Sequence, residues 1–502
     1  MRISSNLFFQ TGLNSINAQQ SDLVHLYRQV GSGKRMVSPS DDPLAAAQAI
    51  NVSQTLAMSE RYAANRQVAS RNLGTEDNVL RTVTLQLQDV KTRLVEAGNG
   101  TMSDVDRAML SEVLQAARDS LLNLANSTDG NGQYLFSGSK GSSPAFNDAG
   151  QYMGDSSQRL IQVDQTRQLA GADLGIDIFS RAAPGTTGFV TIPDAGNAGT
   201  GQFGKTVISN AATGTAIGKA VEIKFEDDGA GGLQYTVHID GVEDASSPIP
   251  YTDPGKLLGG AFGVEVDFSG VPGYGDTFTL VPQNASYSVS KDNTMSIANV
   301  SQLNTATPFT IRYDGTSYIA ETTDTPPVVL DVTPSGTPPV LSVVDNTDPM
   351  NPLPIGEVRL YGTPTPGSSA TISPGSGSTS RDEFNVFSTL DDIIAALASP
   401  TDDPVGAARF QNSLNSALQR IDVTYNNIQS VAASVGTRMV EVGALDESGS
   451  SRIMEYRNQL SQLEDLDYYT AITQLQLRTT ALEAAAMAFQ KIQNTSLFNM
   501  NR

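Results

Sequence analysis

The chain opens and closes on apolar stripes at helical spacing. Near its start, Phe9, Ile16, Leu23 and Val30 recur every seven residues, with Leu13 and Leu26 between them. Near its finish, Leu475, Leu482 and Phe489 repeat at the same interval, flanked by Ile472, Ile492 and the small residues Ala471, Ala485 and Ala486. Apolar positions about 3.5 residues apart make a seam that another helix must cover. Seams at opposite ends of a chain can be covered by each other or by a neighbouring subunit. The pattern predicts a chain made to be assembled.

Between the stripes the periodicity changes twice. Residues 4–31 read as one helix, stopped by Gly31-Ser32-Gly33. A second helix starts at Leu44 behind Asp41, Asp42 and Pro43 and runs to Ala97, about 80 Å at about 1.5 Å per residue. Ser40, Asp41 or Asp42 can cap it by accepting free N–H groups, and the carboxylates of Asp41 and Asp42 also face the positive end of the helix dipole. Gly98-Asn99-Gly100 ends it, and Ser103 or Asp104 caps a third helix to Asn126, with Val105, Leu110, Val113, Leu114, Ala117, Leu121 and Leu124 on its apolar face. After Gly132 the sequence breaks into short alternating runs bounded by Gly, Pro, Asn and Asp, which read as strands. Helix returns with Leu390–Ala398, then with Val405–Val442, and a last helix spans Arg452–Leu497. Gly443 and Gly449 mark the expected break between the last two.

The β-rich middle carries an internal echo. Gly263-Val264-Glu265-Val266 through Pro272 to Thr279-Leu280-Val281-Pro282 recurs 92 residues later as Ile355-Gly356-Glu357-Val358 through Pro364 to Thr371-Ile372-Ser373-Pro374. A looser echo links Val221–Phe225 to Phe309–Tyr313. The spacing predicts two β-domains in tandem.

The predicted fold is α+β and multidomain: a discontinuous coiled-coil rod of N- and C-terminal helices with inserted β-rich domains. The expected boundaries are 1–40 with 455–502 for the terminal coiled coil, and 41–183 with 376–454 for a helical rod with a small β part. Residues 184–283 and 284–375 form the two inserted β-domains.

Composition narrows the chemistry. The 502 residues include no cysteine, no tryptophan and two histidines, His25 and His238. That excludes disulfides and thiolate metal sites and leaves little for acid–base work near neutral pH. The net charge is −21, which argues against a nucleic-acid partner. The charge is uneven: residues 1–140 hold 13 basic and 13 acidic residues, whereas residues 141–380 hold 10 and 25 and 20 of the 24 prolines. The helical ends can pack on like subunits without strong repulsion, and the acidic middle suits an exposed surface. No run of about 18 apolar residues predicts a membrane span, and the first ten residues lack the apolar core of a secretory signal.

Individual motifs read as structural. Asp41-Asp42 precedes Pro43 and an Ala-rich run, so capping outweighs a metal or catalytic pair. Gly31-Ser32-Gly33-Lys34 fails as a phosphate loop, because Arg28 stands where glycine is needed and Arg35 where Ser or Thr would hold Mg²⁺. His25 is expected to flank the first seam. No nucleophile, base and orienter can be assembled, so no enzyme, catalytic residue, metal or cofactor is expected.

Several segments together resemble the flagellin family, and within it the branch that forms the hook–filament junction. They are Met1-Arg2-Ile3-Ser4; Gly33-Lys34-Arg35 with Pro39-Ser40-Asp41-Asp42-Pro43; Asn99-Gly100-Thr101 with Asp106-Arg107; and Ala125-Asn126 with Asp129-Gly130-Asn131-Gly132-Gln133-Tyr134-Leu135-Phe136-Ser137-Gly138. Leu463–Arg502 is similar to the family's C-terminal helix. The resemblance covers about half of the chain. It implies a structural protein of the bacterial flagellum, secreted by the flagellar type III route and located outside the cell, needed for filament assembly and motility. Implied partners are the first hook-associated protein, flagellin, further copies of the chain in a ring, and an export chaperone at the C-terminal helix. Two alternatives stay open: a filament flagellin, and an exported adhesin or carbohydrate-binding protein working through its β-domains. The interface residues expected from the seams are Phe9, Ile16, Leu23, Val30, Leu475, Leu482, Phe489 and Ile492. Residues 1–35 and 460–502 are expected to be mobile in a monomer and ordered on assembly, because a lone helix without a packing face is marginal in water.

Overall fold

The computed structural model describes the chain except residues 1, 101, 156, 212–213, 240, 284–286, 290–294, 296, 302–307, 324–326, 336–338, 347–352, 361–363, 375–381 and 499–502. The architecture is α+β, with helices from both ends of the chain and a β-rich insertion between them. Helices α1 (Arg2–Ser32), α2 (Pro43–Ala97) and α3 (Asp104–Ala125) come first. Ser103 caps α3 in a capping box with Asp106, which silences two free N–H groups at once. A hairpin of β1 (Leu160–Gln162) and β2 (Gln168–Ala170) and the short helix α4 (Gly175–Phe179) follow.

Among the described residues, nine strands form the first β-region: β3 (Phe189–Pro193), β4 (Gln202–Ile208), β5 (Val221–Asp227), β6 (Leu233–Ile239), β7 (Val242–Glu243), β8 (Ile249–Pro250), β9 (Gly255–Leu258), β10 (Val264–Ser269) and β11 (Thr277–Pro282). Eight more form the second: β12 (Tyr287–Val289), β13 (Ile297–Ser301), β14 (Phe309–Tyr313), β15 (Tyr318–Thr322), β16 (Val329–Ser335), β17 (Val340–Asp345), β18 (Leu353–Leu360) and β19 (Ser369–Pro374). Helices α5 (Val386–Leu397), α6 (Pro404–Glu464) and α7 (Tyr468–Phe498) close the chain.

The two β-regions share a strand plan. β11 lies between β3 and β5, with Leu280 opposite Thr191 and Val221. β19 lies between β12 and β14, with Ile372 opposite Val289 and Phe309. β10 lies between β4 and β9, and β18 between β13 and β17. Even the irregularity repeats. Phe268 opposite Phe203 and Leu360 opposite Ile297 each sit beside a register shift, the mark of a bulge that bends one strand. The difference is closure: in the second region β16 pairs with both β15 and β17 and joins the strands into one eight-stranded sheet. Each region has its own apolar core, the first around Phe203, Phe225, Phe268 and Phe278 and the second around Phe309, Ile311, Leu341 and Ile372.

The chain divides into two compact units. One comprises Met1–Ala69, Ile161–Leu169 and Glu441–Arg502, the other Ser70–Leu160 and Ala170–Val440. In the second, α2 buries Leu73, Glu76, Leu80, Val83, Leu87, Val90, Leu94 and Ala97, an unbroken alternation of three- and four-residue steps. Leu414, Ala417, Ile421, Thr424, Ile428 and Val435 of α6 are buried at matching steps. The helices run antiparallel, since Lys91 meets Asp422 at 2.6 Å and Gln88 meets Tyr425 at 3.0 Å. In the same unit α6 holds the first β-region by its backbone. Asn412 accepts from Phe203 N–H at 3.0 Å and donates to Gly201 C=O at 2.8 Å. Asn415 donates to Phe203 C=O, and Gln419 accepts from Thr191 N–H. These amides occupy sheet-edge groups of β3 and β4 that would otherwise invite another strand.

The expected break at Gly443 and Gly449 does not occur. α6 runs through both and stops at Glu464. A glycine inside a helix costs only about 1 kcal/mol relative to alanine, and at Gly449 a larger residue has no room. A Cβ there would come within 2.3 Å of Arg66 Nη2, and Arg66 is 1% exposed. Its guanidinium donates to Asp446 at 3.0 Å and to Val163 C=O at 3.1 Å. Val105 and Val113, expected on the apolar face of α3, are exposed, because the buried face turns through Arg107, Leu110, Leu114, Arg118 and Leu121. Arg118 reaches Asp391 of α5.

Candidate assembly surface on the terminal helices

α1 and α7 lie antiparallel in the first unit. Asp22 pairs with Arg478 near their middles. The would-be Cβ of Gly12 lies 3.3 Å from Phe489 Cδ2, so the helices approach closely there. At the other end a latch holds them. Arg35 N–H donates to Glu464 C=O at 2.7 Å, and Leu466 N–H donates to Gly33 C=O at 3.0 Å. The Arg35 guanidinium reaches Leu463 C=O at 3.2 Å, and Lys34 meets Glu464 at 2.8 Å. Glu464 holds the Lys34 ammonium above its ordinary range. Gly33 adopts a φ of +70°, a conformation that glycine takes without the Cβ penalty.

The latch explains why α6 ends where it does. Asp467 accepts from Tyr469 N–H at 3.0 Å and from Thr470 N–H at 3.2 Å, an N-cap that starts α7. Of the two aspartates read as caps of α2, Asp42 has the geometry: its carboxylate accepts from Ala45 N–H at 3.1 Å. Asp41 organises the preceding loop, accepting from Val37 and Ser38 N–H at 2.9 Å and lying 3.2 Å from His25 Nε2. The Ser38 and Val37 N–H groups, with His25, hold its carboxyl below the ordinary range.

The seam residues are only partly covered. Ile16, Leu23, Val30, Leu475, Leu482 and Phe489 are half-buried, and only Leu26 and Ala471 of the terminal stripes are buried, among the described residues. The side chains of Phe9 and Ile492 lie outside the described residues. Around the seam, Leu7, Val24, Tyr27, Ile472, Leu477 and Met487 are exposed, Leu477 and Met487 to 70% and 65%. So the pair covers a narrow strip and leaves apolar side chains facing water. Sequence reasoning missed the latch. Its signal was opposite charge at distant turns, Lys34-Arg35 against Glu464-Asp465, which no local pattern connects.

Residues 3–141 match the family of the bacterial flagellin N-terminal helical region. Flagellar hook-associated protein 3 of Salmonella typhimurium is 42% identical over 181 residues, 36% of this chain and 57% of that protein. Its Escherichia coli counterpart is 38% identical over 204 residues, 40% and 63% of the two chains. The chain resembles flagellar hook-associated protein 3. It spans about three-fifths of the length of these relatives, from 57% to 63%. Hook-associated protein 3 of Legionella pneumophila superposes with a TM-score of 0.54 at 21% identity, over 82% of this chain and 98% of that one. FlgL of Xanthomonas campestris gives 0.53 at 22%, over 82% and 99%. The fold is theirs. The latch and the Asp42 cap fall on Gly33-Lys34-Arg35 and Asp41-Asp42-Pro43, the segments that carry the sequence resemblance.

Elsewhere the second unit has an open groove of about 870 Å³ between β3, α5 and α6, lined by Asp194, Asp392, Phe410, Ser416 and Arg420 among others. Arg420 is committed there to Asp392, Ser388 and Glu383 C=O. Among the described residues no helix is long and apolar enough to cross a membrane.

Proposed function

We propose that this chain is a structural protein of the bacterial flagellum, forming the junction between the hook and the flagellin filament. The observation that carries the reading is the α1–α7 pair, latched at one end yet leaving Leu7, Val24, Leu477 and Met487 exposed. Burying such a side chain contributes roughly 1.5–3 kcal/mol, so several together favour packing on further subunits. The resemblance to hook-associated protein 3 supports the place in the axial structure. The partners in this reading are the first hook-associated protein on one side, flagellin on the other, and further copies in a ring. An export chaperone covers the C-terminal helix before assembly, and the protein works outside the cell. The terminal coiled coil comprises 1–40 with 455–502, the helical part 41–183 with 376–454, and the two β-regions are a tandem duplication over 184–283 and 284–375. Their common registers support the duplication.

Two experiments test this. The gene should restore motility to a strain lacking its junction protein and not to one lacking flagellin; the reverse result rejects the assignment. Leu482→Asp places a charge in the half-covered seam and should leave circular dichroism unchanged while abolishing incorporation at the junction. Normal motility in that variant would falsify the interface.

A further inference from the structure

The buried stripe of α2 contains one acid. Glu76 occupies a seam step between Leu73 and Leu80, and all three are fully buried at 0% exposed. Glu76 Oε1 accepts from Asp173 N–H at 3.0 Å. Oε2 is buried and has no partner among the described residues. The groups facing it come from each element packed there. Asp173 stands on the segment between β2 and α4. Arg438 of α6 spends its guanidinium on the Asp173 carboxylate and on Ala170 C=O at 3.3 Å, and its Nε finds no partner among the described residues. Gln158 donates to the other Asp173 oxygen at 3.3 Å. Asp177 of α4 pairs with Arg181 at 3.0 Å. On α2 itself, Asp77 is tied to Arg81 at 2.8 Å.

The charges therefore balance without Glu76. Asp173 is matched by Arg438 and Asp177 by Arg181, so an ionised Glu76 adds one uncompensated buried charge, which a protein interior resists strongly. A protonated Glu76 removes that charge and gives the orphan oxygen a proton to share with Asp173.

We infer that Glu76 is a neutral acid at the joint of α2, α6 and the Asp173 segment, and that its ionisation loosens the joint in alkaline surroundings. Burial first, and then the charge of Asp173, push its pKa up to about 8. The sign follows from linkage. Between the unfolded value near 4.5 and the folded value near 8, the folded chain holds a proton that the unfolded chain has lost. Stability from this group is thus greatest at acid pH, falls as pH rises through that window, and levels off above it.

The test uses the full chain and Glu76→Gln, which keeps shape and hydrogen bonding without the charge. Amide exchange in residues 70–80 and 171–179, corrected for intrinsic rates, should lose roughly tenfold or more protection between about pH 6.5 and 9 in the wild type. The glutamine variant should change less than about threefold. Equal pH slopes in the two proteins overturn the proposal. Should Glu76→Gln fail to fold, ¹³C-carboxyl spectra of the wild type decide. A glutamate resonance titrating near pH 8 supports the neutral acid; all glutamate resonances titrating below about pH 6 reject it.

Discussion

Two helix pairs in this molecule carry the same apolar spacing and differ in what they bury. Along α2, the steps from Leu73 to Ala97 are almost wholly buried, 0–2% exposed. Along α1, the steps Ile16, Leu23 and Val30 are half-buried. The α2 seam has α6 on it, through Lys91–Asp422 and Gln88–Tyr425, and α3 beside it, through Gln86–Ser120. The α1 seam has α7. One partner helix covers a strip, whereas closing the full apolar face takes neighbours on both flanks. Equal periodicity thus gives a finished core in one place and an unfinished one in the other, and under the proposed function the unfinished one is where subunits join.

The largest effect expected from this contrast is in the finished seam. Leu80→Ala should cost about 2–5 kcal/mol in denaturant unfolding, the usual loss for a fully buried leucine. A loss under about 1 kcal/mol would mean that the α2 seam is no core at all. Next comes the latch. Gly33→Ala forces a Cβ into a φ of +70° and within 3.0 Å of Tyr468 Oη, so about 1–2 kcal/mol should be lost locally. Amide exchange in α1 and α7 would report it as faster opening of those helices alone. Asp42→Ala removes the α2 cap and should cost about 1 kcal/mol, seen as fraying of residues 43–47. Smallest is Leu477→Ser, on the unfinished face. Monomer stability should stay within about 0.5 kcal/mol, while the proposed function predicts that incorporation into the flagellum falls. A stability loss as large as that of Leu80→Ala would erase the distinction between the two seams.

The terminal helices offer a further check. A single amphipathic pair is marginal in water, so residues 1–35 and 460–502 should exchange faster in a dilute monomer than residues 73–97, and become protected on assembly. Strong protection of both ends in the monomer would show that the pair needs no further partner.

Much of this was legible in the chain. Seven-residue repeats marked the terminal stripes, the acidic residues before Pro43 marked the start of α2, and Ser103 marked the start of α3, since spacing and capping act over one or two turns. The recurrence at 92 residues falls on strands of like register, with Leu280 opposite Val221 and Ile372 opposite Phe309. The failures are as instructive. Gly449 reads locally as a helix breaker, and only Arg66, some 380 positions earlier in sequence, shows that it is a clearance. Val105 and Val113 read as core until Arg107 and Arg118 turned out to fill the buried face.

By itself, then, the sequence determined where helix gives way to strand and back, and the apolar stripes of the two ends, because propensity, periodicity and capping are short-range. The tertiary structure alone decided which faces are finished. It set the Gly33–Leu466 latch, the amide grip of Asn412 and Asn415 on β4, and the lone acid Glu76 among leucines. Each depends on a partner hundreds of residues away or on how much water is excluded, and burial and charge balance become defined only once the chain has folded.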